Sequence, residues 1–528
     1  MVRLPRAAVA AIAMVLGTPP HPRAEPTARP ALTEKAAATR ALTAGQSEVL
    51  ALDVHPGEAV RGTLAVEAGS FNLDLVGADG RHIRRLADAL EGRTTVQFVA
   101  PDAPAALSLT AVEAGSARVT LQALAVPPEA AAPPPQLISP TLAALAHRVA
   151  AGGGTEAFWA DVARQGTPLV EARDDGQVLL TFLARGVRAN ARLIGAPSSD
   201  HEWLSHLGGS DVWFKSFVVP PETRLSYRIA RDVPALPGNP RERRMALLAT
   251  AAADPLNHHP WPADAPDAFN QESVLELPGA PAQAGIDDPD PPRGTLTRFR
   301  LTSRRLGNTR SITVYAPAGF DPADARNRLL ILFDAKAYLT KVPTPRILDT
   351  LTGQGRLPPT LAVFVSEIDP ETRSRELPGN PAFAAFMADE LVPAIRARFG
   401  IDIPAARTIL AGSSYGGLGA MTVALAHPER FGNVIALSGS FWWHRDGSSE
   451  GVAEEIARTP RRPLRIHLTA GLFEGGPPGT GDILGSTRRL RDALRAKGYA
   501  VTGRDYAGGH DYVVWRGALG DALLALLK

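Results

Sequence analysis

Cysteine is absent from the 528-residue chain, which excludes disulfides, thiol catalysis and thiolate metal sites and leaves the redox compartment open. Charge of one sign is not in excess either. Lys+Arg 56 against Asp+Glu 54 gives a formal +2, so bulk charge offers no argument for a nucleic-acid partner. No apolar run is long enough to span a bilayer. The run over residues 7–16 follows Arg3 and Arg6 and precedes a proline-rich break and Ala24. That layout reads as a secretory signal peptide over residues 1–24, although Pro22 occupies a position where a small residue is preferred. It predicts a periplasmic or secreted protein.

What remains has the composition of a soluble globular protein, long enough for three or four domains. Over residues 45–126 the sequence alternates apolar and polar positions in six short runs, at 49–54, 59–64, 71–76, 95–99, 107–112 and 117–121. Turn signals such as Ala78-Asp79-Gly80 separate them, which predicts a small antiparallel β-sandwich. It loosely resembles pre-peptidase C-terminal domains and carries no catalytic constellation, so a binding or spacer role is expected. Residues 127–139 are rich in Pro and Ala and read as a semi-rigid linker. In the unit over 140–285, helices are predicted at 141–151 and 157–164, then strands at 177–184, 187–193, 211–218 and 224–229.

From 290 to 528 strands and helices alternate, as in a doubly wound α/β-hydrolase with a mostly parallel sheet. An antiparallel pair is predicted at 297–302 and 309–316. Runs apolar throughout at 328–334, 360–365, 408–411, 434–437 and 465–471 indicate strands covered on both faces, and 501–506 is the last. The stretch Gly412-Ser413-Ser414-Tyr415-Gly416 joins the run at 408–411 to a small-residue helix. A nucleophilic serine needs such a tight strand-to-helix turn with small flanking residues, which makes Ser414 the candidate nucleophile. The Tyr415 amide, at the start of the following helix, is the natural first oxyanion donor.

Chain order then demands an acid after a late strand and a histidine after the last one. His510 follows the final strand in a glycine-rich loop. Glu474, just past the strand ending at Gly471, is the expected acid, with Asp482 farther along the same loop as the alternative. The second oxyanion donor is expected from the backbone near Ala335 and Lys336, and Asp334 reads as a turn-former.

Several ordered blocks resemble the enterochelin (enterobactin) esterase family. They include Phe158-Trp159-Ala160-Asp161, Ser210-Asp211-Val212-Trp213-Phe214-Lys215, Asp254-Pro255-Leu256-Asn257, Arg373-Ser374-Arg375-Glu376-Leu377-Pro378, Ser438-Gly439-Ser440-Phe441-Trp442-Trp443 and Gly508-Gly509-His510-Asp511-Tyr512. The resemblance covers about residues 140–528. It implies an immunoglobulin-like second β-sandwich that frames the substrate site, followed by an esterase D-like catalytic domain. It also implies a serine esterase acting on a trilactone catecholate siderophore through an acyl-enzyme, with no cofactor. The substrate is either ferric or iron-free.

A ferric tris-catecholate is trianionic, so a cationic pocket is expected, with Arg373, Arg375 and Arg516 as candidates and Trp442, Trp443 and Trp515 as walls for catechol rings or as packing residues. Trp213, Tyr227 and Trp261 read first as core residues and alternatively as stacking surfaces. Two departures stand out. Ala335 replaces the glycine usual in the family's oxyanion loop, and the leader and first β-unit are extra to the usual cytoplasmic enzyme and similar to its periplasmic relatives. An esterase for simpler acyl or feruloyl esters and a non-catalytic siderophore-binding protein are the competing readings. Oligomeric state is left open.

Overall fold

The computed structural model describes residues 33–527 apart from 125, 129–131, 199–200, 237–238, 288–292, 445–450 and 477–480. The expected signal peptide lies outside the described residues. Alternate residues of the central strands leave for opposite faces of one sheet. Leu329, Ile331, Val363 and Leu410 enter one core, while Leu330, Leu332, Phe364 and Ile409 enter another. Helices cover both faces, which is why the strands are apolar throughout rather than alternating. The helix Tyr415–Ala426 packs on the first face and Tyr512–Leu527 on the second.

The sheet runs in the spatial order Thr295–Ser303, Asn308–Ala316, Thr360–Val365, Arg328–Leu332, Thr408–Ser413, Asn433–Leu437, Arg465–Gly471 and Ala500–Thr502. The first two strands are antiparallel and the others from Thr360–Val365 onward pair in parallel. The last predicted strand is interrupted. Ala500–Thr502 and Asp505–Tyr506 both pair with Arg465–Gly471. Between them Gly503 has φ +136°, and a Cβ there would lie 1.8 Å from the Leu468 carbonyl oxygen. Only glycine fits that approach.

The N-terminal unit differs from six short strands. Ala59–Gly77 absorbs two predicted runs, and so does Ala105–Leu124. The two long strands pair along their length, and each half of Ala59–Gly77 holds a different second neighbour, Arg93–Val99 or His82–Leu90. Register shifts near Ala68 and Ser70 let one strand serve both halves. A strand at Thr33–Leu42 also lies outside the expected unit. It joins the edge of Ala105–Leu124 through backbone pairing, which its alanine-rich sequence does not advertise. His82–Leu90 escapes the period-two pattern because it is crowded with charge.

In the second unit two sheets face each other. One contains Val178–Ala184 and Trp213–Val219, the other Ala191–Ile194, Arg224–Arg231 and Glu272–Glu276. They enclose Phe182, Leu193, Trp213, Leu225 and Tyr227. The segment expected as a linker is docked rather than free. Ala235 donates its amide to the Pro127 carbonyl at 2.9 Å, and Ser205 Oγ donates to Pro134 O at 3.3 Å. Leu124 and Ala59 share an apolar cluster with Ala230 and Val233.

Candidate active site

The carboxyl ends of three adjacent parallel strands each carry a residue with positive φ that is not glycine: Asp334 at 56°, Ser414 at 56° and Ser438 at 48°. Strain at this edge is where open α/β sheets place ligands. Ser414, at ψ −124°, forms the turn between Thr408–Ser413 and the helix Tyr415–Ala426. The turn is tight enough that a Cβ on Gly412 would sit 2.6 Å from the Gly416 carbonyl carbon. The Ser414 amide donates to Leu437 O at 3.1 Å, its carbonyl accepts from Ser440 N at 3.1 Å, and its hydroxyl lies 3.4 Å from Ser440 Oγ.

His510 Nδ1 lies 2.6 Å from Glu474 Oε1. A carboxylate only accepts, so Nδ1 carries the proton in the neutral imidazole and Nε2 is left as the basic nitrogen. The other carboxylate oxygen of Glu474 accepts from the Gly471 amide at 2.5 Å and from Ser438 Oγ at 2.7 Å. Ser438 Oγ in turn accepts from Trp515 Nε1 at 2.9 Å. The Trp515 ring meets His510 edge-on at 4.7 Å and 88°. Glu474 is therefore buried and fully bonded, in a frame that fixes the imidazole. Asp482 is elsewhere. It caps the helix Ile483–Ala496, accepting from Gly485 N at 2.8 Å, and faces Arg489 at 3.7 Å.

Ser414, Glu474, His510 and Trp515 line one cavity of about 600 Å³, together with Ser226, Arg228, Arg244, Glu272, Lys341 and Arg373. Two of the predicted arginines are not brought to it. Arg375 is exposed on the outer side of its helix, and Arg516 Nε donates to Gln283 Oε1 at 2.6 Å with its guanidinium over Trp261 at 5.5 Å. Trp443 does not line the cavity; it packs against the core on the face covered by the helix Tyr415–Ala426. Arg373 does line the cavity, but its guanidinium is already forked onto Asp334 at 2.5 and 2.7 Å. Burial works against that cation, yet the hydrogen bonds and charge of Asp334 hold its pKa above the ordinary value. Trp213 is a core residue; Tyr227 is buried too, its hydroxyl donating to Asp254 Oδ2 at 2.9 Å, but it also contributes to the cavity lining.

The cationic wall comes instead from residues the sequence did not single out. Arg228 and Arg244 project from the second unit and Lys341 from the catalytic one. Burial and the neighbouring Arg228 hold the Arg244 pKa below its usual value. Lys341 is 3.2 Å from Glu272. Despite its burial, Glu272 is held below the usual carboxylate range by Lys341, Arg228 and the Ser226 hydroxyl. Asp511, next to His510, accepts from the Ser226 amide. Burial and the Glu272 charge push it up to about 6. No sequence signal singled these residues out as a group, because they come from opposite sides of a domain junction.

The backbone candidates for an oxyanion hole start two helices. Tyr415 is the first residue of Tyr415–Ala426, and Ala335 and Lys336 open Ala335–Thr340, positions whose amides lack an intrahelical partner. The side chain of Lys336 points away to Asp88 of the N-terminal unit.

A parallel sheet flanked by helices, with a strained serine at a strand end and a carboxylate-bonded histidine after the last strand, is the architecture of α/β-hydrolases. The family model described as Putative esterase matches residues 303–526, and the chain is an esterase of this fold. A second family model, Enterochelin esterase, N-terminal, matches residues 180–286. The iron(III) enterobactin esterase of Dickeya dadantii (strain 3937) is 35% identical over 419 residues, covering 71% of this chain and 93% of the relative. The crystal structure of ferric enterobactin esterase from Salmonella typhimurium superposes with a TM-score of 0.59 at 31% identity, covering 70% of this chain and 98% of the other. The enterobactin esterase of Shigella flexneri, solved in the presence of enterobactin, gives a TM-score of 0.57 at 30% identity, with coverages of 71% and 98%. The chain belongs to the iron(III) enterobactin esterase family.

Proposed function

We propose that this protein hydrolyses the ester bonds of an enterobactin-like catecholate trilactone, ferric or iron-free. Ser414 Oγ attacks a seryl ester carbonyl as His510 Nε2 takes its proton, and Glu474 stabilises the resulting imidazolium. The oxyanion is held by the amides of Tyr415 and Lys336. His510 then gives that proton to the departing seryl oxygen as its C–O bond breaks, and water, activated by the same imidazole, releases linear catecholoyl-serine pieces. No cofactor enters these steps; iron, where present, belongs to the substrate. The observation that carries the reading is the Glu474–His510 hydrogen bond of 2.6 Å opening onto the cavity that holds Ser414. Arg228, Arg244 and Lys341 supply positive charge for a trianionic ferric complex.

In this reading the two N-terminal units are β-sandwiches, the second immunoglobulin-like, and the protein acts in the periplasm or outside the cell after its leader is removed. Product analysis by mass spectrometry on ferric and iron-free enterobactin tests the activity. Linear and monomeric catecholoyl-serine should accumulate with the parent and not with Ser414→Ala, which should still bind substrate. Hydrolysis by Ser414→Ala above background would remove Ser414 from its role.

A further inference from the structure

The turn joining His82–Leu90 to Arg93–Val99 in the N-terminal unit sits on the catalytic unit at three points. Asp88 holds the ammonium of Lys336 in an ion pair. Glu91, largely buried, accepts from Arg298 Nη2 at 2.9 Å, Arg300 Nη1 at 2.9 Å and Ser311 Oγ at 3.0 Å, which anchors the turn to the antiparallel edge of the catalytic sheet. The Arg93 amide donates to Asp369 Oδ2 at 3.3 Å. Here the approach is close: a Cβ on Gly92 would fall 2.8 Å from Asp369 Oδ2 and 3.1 Å from Ile368 Cγ2.

These contacts land on both flanks of one partly buried ion pair. Asp369 is the N-cap of the helix Pro370–Glu376, its other oxygen accepting from Thr372 N at 2.7 Å, and that helix carries Arg373. Arg373 forks onto Asp334, which precedes Ala335–Thr340 and its Lys336 amide. Asp334 Oδ2 also stands 3.3 Å from where a Cβ of Gly416 would be, against the turn that presents Ser414. The tip of the extra unit thus touches the helix that supplies the guanidinium, through Asp369, and the segment after the carboxylate, through Lys336. Neither family model reaches residues before 180.

We propose that residues 88–93 are positioning residues for the oxyanion loop, acting through Lys336 and through Asp369 on the Arg373–Asp334 pair. The inference rests on the esterase reading of Ser414. Exposed ion pairs contribute little to stability singly. Their effect here is geometric, holding backbone donors where a displacement of a fraction of an ångström lowers the rate.

Full-length Asp88→Ala, Gly92→Ala and the double variant test it. Amide hydrogen exchange read by mass spectrometry needs no substrate. Peptides over residues 334–341 and 369–376 should exchange roughly tenfold faster in the double variant, with those over Thr408–Ser413 unchanged. On a short chromogenic ester kcat should fall roughly tenfold with KM unaltered, and Asp88→Glu should restore most of it. If exchange in both segments and kcat stay within about twofold of the parent while only Tm falls, the turn merely joins two units and the proposal is overturned. A parent protein that cleaves no ester would overturn the reading of Ser414 instead, and exchange alone would then decide the positioning.

Discussion

Trp515 donates its indole N–H to Ser438 Oγ at 2.9 Å, from a helix on one face of the sheet to a strained residue at the end of a strand. Ser438 Oγ donates a hydrogen bond to Glu474 Oε2 at 2.7 Å, and Glu474 Oε1 accepts from His510 at 2.6 Å. Imidazole orientation is therefore set by three other side chains, Glu474, Ser438 and Trp515, of which chain order points only to Glu474.

Replacing Glu474 by Gln should lower kcat/KM by on the order of 10²–10⁴, because the amide favours the wrong imidazole tautomer and cannot stabilise its cation. Asp482→Asn should leave activity near the parent's and cost at most about 1 kcal/mol, since asparagine still caps a helix. Initial rates on a short ester and on enterobactin, with thermal melts, check both. A larger loss in Asp482→Asn would transfer the acid's role.

Ser438→Ala removes one acceptor for Trp515 and one donor to Glu474, leaving a buried indole N–H unpaired. A loss of about 1–3 kcal/mol in urea unfolding is expected, with a roughly tenfold lower kcat. Trp515→Phe removes the same N–H with its acceptor still bonded to Glu474 and should be milder in rate. Equal effects would argue that packing, not the hydrogen-bond chain, is what matters.

Arg228→Ala and Arg244→Ala should each raise KM for ferric enterobactin by roughly three- to thirtyfold and kcat should change much less. The penalty should shrink for iron-free substrate, which lacks the trianionic centre, and in high salt. Equal penalties on ferric and iron-free substrate would place these residues outside recognition of the metal complex.

Glu367 is half-buried beside Asp334, and desolvation followed by that neighbouring charge pushes its pKa up to about 7 from 4.5. The folded state thus holds a proton that the unfolded chain has already released. Stability from this group is present below the unfolded value and is lost as pH rises between about 4.5 and 7. Glu367→Gln should therefore gain stability relative to the parent over that window and hold the gain above it. Urea midpoints across pH measure this, and a difference independent of pH would refute it.

Much of the catalytic unit was legible because its signals are local. Runs such as Leu329-Leu330-Ile331-Leu332 are apolar on both faces, the Gly412–Gly416 spacing requires a tight turn, and acid and histidine follow the serine in a fixed order. The N-terminal unit was less legible. Period-two patterning marks where strands lie but not where one ends, so Ala59–Gly77 read as two. His82–Leu90 escaped because its charged residues are satisfied by other units: His82 by Asp267 at 3.0 Å and Asp88 by Lys336.

By itself the sequence determined the class of fold, the serine turn and the chain order of its partners, because each depends on neighbours within a few residues or on topology. Tertiary structure alone decided the rest. It tied His510 to Glu474 and left Asp482 as a helix cap. It turned Arg375 to solvent and Arg516 to Gln283, and it built the cationic wall from Arg228, Arg244 and Lys341. An arginine's destination is set by which carboxylate, carbonyl or ring lies within reach of its long side chain once the domains are docked. No spacing along the chain encodes that distance.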